Sequence, residues 1–203
     1  MNQNMNQNVN RLIIATHNRN KLREFTKILG DKFQVISLSE LNLNEEIPET
    51  GTTFTENCLI KLHTLAKLYP NDYILADDSG LCIDALNGAP GVYSARFCGE
   101  TTSYDVKIKQ LQSLLREVPE EARTAHFVCV LALHYPDGQE KIMEGRCDGL
   151  IAHKTAGSNG FGYDPIFYLP HYGCTMAELS ETEKNKISHR GAATAKLLAE
   201  LKL

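Results

Sequence analysis

The chain has 203 residues, of which 42% are apolar and 23% are charged. Its 21 basic and 25 acidic residues give a net charge of −4, which argues against a protein that mainly coats a nucleic-acid polymer. No apolar run reaches the roughly 18 residues of a membrane span, and the composition excludes disordered, collagen-like and coiled-coil chains. We expect residues 1–10 to form a disordered polar tail and residues 11–203 to form a single domain.

The cysteines and the first residues bear on the compartment. The six cysteines contain no C-x-x-C pair, so they indicate neither a zinc knuckle nor a thioredoxin-type redox site. The first ten residues, MNQNMNQNVN, lack the basic and apolar regions of a signal peptide. Reduced thiols and the missing export signal together predict a cytoplasmic protein.

Strand and helix patterns alternate in the first half of the chain. Apolar runs predict strands at residues 12–16, 33–38, 73–76 and 81–86. Helical spacing of apolar residues begins after Lys21 and again after a capping box formed by Thr53 and Glu56, and Pro70 ends the second helix.

A long hairpin interrupts this alternation in the second half. A third helix over residues 104–115 precedes strands at 125–135 and 140–145, joined by a Pro-Asp-Gly turn. A short strand is predicted at 166–169, and Ser188 is expected to cap a final helix. Alternation followed by a hairpin predicts an α/β fold with a mixed sheet.

Residues 16–21 connect a predicted strand to a predicted helix. The free N–H groups and partial positive charge of a helix N-terminus suit a phosphate. Thr16 and Asn18 can add hydrogen bonds and Lys21 a charge, although the segment lacks the glycines of a P-loop. The alternative is an ordinary strand-to-helix loop with a solvated lysine.

Asp77 and Asp78 directly follow a predicted strand in the segment ADDSG. Adjacent carboxylates repel each other unless a cation or hydrogen-bond donors offset their charge. Mg²⁺ prefers carboxylate oxygens, and Glu49 in a preceding acidic loop can supply another. We therefore expect the pair at the carboxyl end of its strand, where open α/β sheets bind ligands. A solvated Asp-Ser-Gly turn is the alternative.

The segment GFGYDP at residues 160–165 combines glycines with aromatic rings. A flat base can stack on Phe161, while Asp164 accepts hydrogen bonds from the edge of that base. The alternative is a glycine-rich turn whose rings pack on the core.

Lys184, His189 and Arg190 form a fourth polar group near the start of the last helix. Cations are unfavourable at a helix N-terminus, so an anionic or acceptor-rich ligand would compensate for them. A solvated surface explains these residues as well.

Taken together, these motifs resemble the inosine triphosphate pyrophosphatase family from Arg11 to about Leu201. The matching stretches are IIATHNRNKLREF, ETGTTFTENCLIKL, ADDSGLCIDALNGAPGVYSARF, GFGYDPIF and AELSETEKNKISHRG. His17 departs from the pattern, because relatives often carry glycine or another small residue there. The sequence therefore leaves open whether residue 17 acts through its side chain or through its backbone.

The resemblance implies an α/β fold with an elongated mixed β-sheet and flanking helices that form two lobes around a central substrate cleft. It also implies a homodimer. The implied activity is Mg²⁺-dependent hydrolysis of non-standard purine nucleotides (ITP, dITP and XTP) to the monophosphate plus pyrophosphate, which removes them from the nucleotide pool.

The resemblance also assigns roles to individual residues. Asp78 would be the general base, and Glu49 and Asp78 would hold Mg²⁺. The implied substrate contacts are Thr16, His17, Asn18, Arg19, Asn20, Lys21, Ser79, Phe161, Gly162, Tyr163, Asp164, Lys184, His189 and Arg190.

Two other functions stay open at this point. The chain could be a Mg²⁺-dependent hydrolase of another nucleotide, such as a modified pyrimidine triphosphate or a monophosphate. It could also be a nucleotide-binding regulator without turnover, although a mere binder has little use for Glu49 together with Asp77 and Asp78.

Overall fold

The computed structural model describes residues 10–203, so most of the expected disordered tail lies outside the described residues. The strands are β1 (Arg11–Ala15), β2 (Gln34–Ser37), β3 (Tyr73–Ile83), β4 (Thr124–His134), β5 (Glu140–Ile151), β6 (Phe167–Leu169) and β7 (Cys174–Thr175). The α-helices are α1 (Arg19–Leu29), α2 (Phe54–Leu68), α3 (Tyr104–Leu114), α4 (Glu181–Ile187) and α5 (His189–Glu200). None of the helices between residues 10 and 203 is long and apolar enough to cross a membrane.

All of these strands belong to one mixed sheet, in the order β2-β1-β3-β4-β5-β6-β7. β1 pairs in parallel with both β2 and β3, whereas β6 pairs in antiparallel fashion with β5 and β7. The predicted α/β class with a mixed sheet is therefore confirmed.

The chain divides into two compact units. Strands β3, β4 and β5 each contribute residues to both units. The first unit comprises residues 10–51, Thr55–Asp77 and Ala132–Ile142. The second unit comprises Thr52–Phe54, Asp78–Leu131 and Met143–Leu203. The boundary on β3 falls between Asp77 and Asp78.

Each unit has its own apolar core. In the first, β1 is buried almost continuously and α1 and α2 contribute buried side chains, among them Phe25 and Leu62. The core cluster of the second unit joins α3 to β3, β4 and β5. Arg123 is also buried there, and its guanidinium donates to the carbonyls of Ile151 and Leu115, both at 2.7 Å. These bonds satisfy a charged group that burial would otherwise penalise.

One expectation about the sheet is wrong. Asp77 and Asp78 do not lie at the carboxyl end of a strand, because residues 77–80 continue within β3. A Cβ atom on Gly80 would lie 2.4 Å from the carbonyl oxygen of Gly91 and 2.6 Å from Oγ of Ser94. Glycine at this position thus allows close packing on a strand and does not make a turn.

Other element boundaries differ less. The strand predicted at residues 81–86 ends at Ile83, and a 3₁₀ turn follows over Asp84–Leu86. β5 continues beyond the predicted residue 145 to Ile151. Neither β7 nor α4 was expected from the sequence.

Candidate active site

The segment 16–21 leads from β1 into α1 and is shaped by its own side chains. Asn18 caps the helix, because its Oδ1 accepts from the backbone N–H groups of Asn20 at 2.9 Å and Lys21 at 3.3 Å. The Oγ1 atom of Thr16 accepts from the N–H of Asn18 at 3.1 Å, and Arg19 is exposed. The loop is therefore held in one conformation at the start of the helix.

His17 uses its side chain to contact a different loop. Its ring Nε2 lies 3.2 Å from the carbonyl oxygen of Glu45, and the contact is exposed. The imidazole therefore links the segment 16–21 to the acidic loop that carries Glu49.

Lys21 forms an ion pair with Asp77 inside the first unit. The side chain of Asp77 is fully buried, and that of Lys21 is 14% exposed. A cation in the first turn of a helix is unfavourable by about 0.3–1 kcal/mol, and the first turn of α1 has no acidic residue. Asp77 supplies the missing negative charge from the neighbouring strand.

Lys61 is a functional candidate that none of the sequence motifs includes. It lies on the buried face of α2, and its Nζ donates to Oε1 of Glu49 at 2.9 Å and to the carbonyl oxygen of Asp77 at 2.6 Å. The sequence did carry a signal, because Lys61 falls at helical spacing from the apolar Cys58 and Leu65. We call Lys21, Glu49, Lys61 and Asp77 the charge cluster.

The loop that carries Glu49 is also fastened to α2. Oδ1 of the buried Asn57 accepts from the backbone N–H of Gly51 at 2.8 Å. This bond fixes the end of the acidic loop, two residues after Glu49, at the start of the helix.

Asp78 and Ser79 belong to the second unit. Asp78 is 5% exposed, and its Oδ1 accepts from the N–H of Ser79 at 2.9 Å. The hydroxyl of Ser79 accepts from Nη2 of Arg190 at 2.9 Å. The structure thus brings together three residues that came from two separate motifs of the sequence.

Phe161 lies beside two cations. Lys184 Nζ is 4.6 Å and Arg190 Cζ is 5.6 Å from the centre of its ring, which is within the range of cation–π attraction. Oδ2 of the buried Asp164 accepts from Lys184 Nζ at 2.6 Å and from the N–H of Phe161 at 2.8 Å. We call Phe161, Asp164, Lys184 and Arg190 the ring cluster.

Gly160 makes this arrangement possible. Its φ is +74°, and a Cβ atom there would lie 2.1 Å from Oδ2 of Asp164. Any other residue would therefore push the carboxylate away from Phe161 and Lys184.

Tyr163 supports the same loop from inside the core. Its hydroxyl donates to the backbone carbonyl of Ser94 at 2.9 Å. Burial, followed by the neighbouring Tyr104, raises the pKa of Tyr163, so the hydroxyl stays protonated and keeps donating. A Cβ atom on Gly162 would lie 3.6 Å from the Tyr104 ring. These contacts give Tyr163 a structural role besides the predicted substrate contact.

His189 is fixed at the start of α5. Ser188 caps this helix as predicted, since its Oγ accepts from the N–H of Gly191 at 3.1 Å. The His189 ring stacks on Phe127 with centroids 4.6 Å apart and an interplanar angle of 17°. A Cβ atom on Gly145 would lie 2.1 Å from the His189 carbonyl oxygen. Glycine in β5 therefore lets the first turn of α5 approach the sheet.

The carboxylates suit Mg²⁺ by their chemistry. Within residues 10–203, no three His, Cys, Asp or Glu side chains are grouped so that they alone could hold a metal ion. Mg²⁺ does not need such a group, because it is usually bound through one or two carboxylates, waters and substrate phosphates. As carboxylates, Glu49 and Asp78 each have the chemistry of such a ligand.

The chain belongs to the Ham1 family, whose model matches residues 12–200. A dITP/XTP pyrophosphatase of Leuconostoc mesenteroides is 50% identical over 190 residues, covering 92% of this chain and 94% of that relative. A dITP/XTP pyrophosphatase of Bacillus subtilis is 49% identical over 186 residues, covering 91% of this chain and 93% of that relative. The resemblance drawn from the motifs is confirmed.

Solved structures agree with this assignment. The Staphylococcus aureus Ham1 protein matches with a TM-score of 0.86 and 44% identity, covering 95% of this chain and 98% of that protein. A HAM1 protein from Coxiella burnetii matches with a TM-score of 0.87 and 41% identity, again covering 95% and 98%.

Proposed function

We propose that the protein is a nucleoside-triphosphate pyrophosphatase, a hydrolase that converts ITP, dITP and XTP to the monophosphate and pyrophosphate. Such an activity removes non-standard purine nucleotides from the nucleotide pool. The names of relatives that are 50% and 49% identical support the substrate class. The structural observation that carries the proposal is the acid pair on β3, with Asp77 bound to Lys21 and Asp78 next to the Ser79–Arg190 contact.

Glu49 and Asp78 are the residues we propose for holding Mg²⁺. A triphosphate brings about four negative charges near neutral pH, so an acidic protein needs a metal and local cations to bind it. When bound, Mg²⁺ would neutralise charge that develops on the phosphoryl oxygens. Lys21 and the hydrogen-bonding groups of residues 16–20 would bind the triphosphate.

Asp78 is also the proposed general base. A carboxylate within hydrogen-bond reach of the attacking water can take its proton. The water oxygen would then bond to the α-phosphorus, the bond from that phosphorus to the bridging oxygen would break, and pyrophosphate would leave intact. Burial of Asp78 at 5% exposure supports this role, because few waters compete for its oxygens.

Base selection would depend on the second unit. Hypoxanthine and xanthine carry an oxygen at purine position 6, whereas adenine carries an amino group. Donors of His189 or Arg190 would satisfy that oxygen but would face the adenine amino group without an acceptor. A buried polar group left unpaired costs about 1–3 kcal/mol, and the same penalty would reject ATP. Phe161 would stack on the base.

The released products test the function. The purified protein would be incubated with Mg²⁺ and dITP, XTP, dGTP, dATP or dUTP, and pyrophosphate and orthophosphate would be measured separately. We expect pyrophosphate from dITP and XTP, and repeating the reaction in ¹⁸O-water should place the label in the monophosphate. Orthophosphate as the first product would exclude the proposed mechanism, and dATP turnover equal to that of dITP would exclude the base selection.

The same panel separates the alternatives. Preferred cleavage of dUTP would indicate a pyrimidine nucleotide hydrolase, and binding without any product would indicate a regulator. Full activity in excess chelator would remove the metal from the proposal.

We further propose that residues 11–203 work as one pyrophosphatase domain in a cytoplasmic homodimer. The six cysteines are all free, which suits a reducing compartment. Light scattering on the purified protein tests the dimer, and cell fractionation tests the location.

A further inference from the structure

We propose that Asp77 acts on the triphosphate through Lys21, as a positioning residue, and does not hold the metal. The inference rests on the proposed function for the nature of the ligand. It concerns the member of the acid pair to which the family resemblance assigned no role. Three features of the structure support it.

The first feature is the continuity of β3. Successive side chains of a strand point to opposite faces of the sheet. Asp77 and Asp78 are both strand residues in the interior of Tyr73–Ile83. Their carboxylates therefore leave the backbone in opposite directions, which prevents the two from chelating one ion side by side as they could in a turn.

The second feature is the contact that Asp77 makes. Its carboxylate forms an ion pair with Lys21, and its side chain is fully buried while that of Lys21 is 14% exposed. The lysine thus has its ammonium group fixed from the protein side and keeps part of its surface toward solvent. This is the arrangement expected of a cation that is held in place for an anionic ligand.

The third feature fixes Asp77 itself. Its carbonyl oxygen accepts from Lys61 Nζ at 2.6 Å, and the same Nζ donates to Glu49 at 2.9 Å. The strand beside Lys21 is thereby bonded to α2 through a buried lysine. Lys61 therefore fixes the backbone of Asp77, while Lys21 pairs with its carboxylate.

These contacts predict separate effects for the two acids. Replacing Asp77 by Asn keeps the shape but removes the charge that holds Lys21, so the affinity for triphosphate should fall while the metal is still bound. Replacing Asp78 by Asn should weaken metal binding. Replacing Lys21 by Met should reproduce the effect of the Asp77 change, because both variants break the same pair.

The experiment measures binding of two inorganic probes to the full chain. Inorganic triphosphate is titrated by calorimetry in the presence of EDTA, so that no metal takes part. Mn²⁺, which carboxylates also accept, is titrated separately by paramagnetic relaxation. The proteins are the wild type, Asp77→Asn, Lys21→Met, the double variant and Asp78→Asn. Asp72→Asn is the matched control, because Asp72 pairs with Arg11 at 3.6 Å outside the charge cluster.

We expect Asp77→Asn and Lys21→Met each to weaken triphosphate binding by about tenfold or more. The double variant should bind triphosphate no more weakly than Lys21→Met does. The two single variants and the double variant should all keep the wild-type affinity for Mn²⁺ within twofold. Asp72→Asn should change neither affinity.

Two results would overturn the inference. A tenfold loss of Mn²⁺ affinity in Asp77→Asn would make Asp77 a metal ligand. Multiplication of the two single effects in the double variant, or unchanged triphosphate affinity in Asp77→Asn, would show that Asp77 does not act through Lys21.

The double variant covers the case in which Asp77→Asn does not fold. It removes both charges of the pair and leaves no uncompensated buried charge, and loss of Mn²⁺ binding by this variant would equally refute the inference.

Failure of the proposed function would look different, because the wild type would then release no pyrophosphate from any purine nucleotide while both titrations could still be read.

Discussion

The charge cluster of the first unit and the ring cluster of the second hold their cations in different ways. In the charge cluster, Lys21 and Lys61 contact acidic side chains and a backbone carbonyl. In the ring cluster, Lys184 contacts both Asp164 and the face of Phe161.

This difference indicates what each region can recognise. Point charges on lysines attract an anion with little regard to its shape, whereas a ring with fixed donors around it favours a flat ligand with acceptors at its edge. The first unit should therefore determine affinity for the polyphosphate, and the second should determine which base is accepted. A variant in one cluster should therefore leave the affinity for the ligand of the other cluster unchanged.

The largest effect is expected for Asp78, which we propose as the general base of the chemical step. Asp78→Asn should lower kcat for dITP by at least about 100-fold, since general bases contribute about 10²–10⁴-fold. Steady-state kinetics and thermal melting check this expectation, with Asp72→Asn as control. Activity within threefold of the wild type would remove Asp78 from both of its proposed roles.

A variant in the ring cluster tests whether the two regions are separable. Lys184→Met leaves the buried Asp164 carboxylate without its cation, and breaking a buried pair costs about 3–5 kcal/mol. We expect a lower free energy of unfolding and a loss of at least tenfold in affinity for IMP, with affinity for inorganic triphosphate unchanged. Denaturant unfolding and calorimetry measure these quantities. An equal loss for both ligands would show that the clusters do not act separately.

The parts of this fold that could be predicted are those governed by neighbours in the sequence. α2 begins at Phe54 and ends before Pro70, where apolar spacing and a helix-breaking residue predicted it. Ser188 caps α5 for the same local reason. The motif residues around Asp164 and Lys184 were also identified, and the structure joins those two directly.

The rest depends on partners far away in the sequence. Two adjacent aspartates followed by Ser-Gly favour a turn locally, yet β3 continues because Lys21 compensates Asp77 and because Gly80 packs against the segment of Gly91. No local pattern contains these contacts. Helical spacing places Lys61 on the buried face of α2, but its partner could not be predicted, since the carboxylate it pairs with lies in a separate loop.

Phe127 offers a smaller and more selective test of the base side. Its ring stacks on His189, and such aromatic pairs contribute about 0.5–1.5 kcal/mol. Phe127→Leu should therefore raise KM for dITP about two- to tenfold and reduce the preference for dITP over dATP, with little change in kcat. Phe25→Leu, a buried change in the first unit, is the matched control. Equal effects of the two variants on base preference would attribute the result to general loss of packing.

The smallest effect is expected for the pH dependence of the free energy of unfolding. It concerns His126, a residue of the second unit that belongs to neither cluster. Burial, and secondarily Arg146, lowers the pKa of His126 below its ordinary value of 6.5, although Asp84 and Asp148 act in the opposite direction. In the window just below pH 6.5 the unfolded chain therefore binds more protons at this position than the folded protein, so the free energy of unfolding should fall as the pH falls. His126→Gln should remove that part of the slope, and denaturant unfolding at pH 7.5 and pH 5.5 measures it. An identical pH dependence for wild type and variant would mean that His126 titrates alike in the folded and unfolded states.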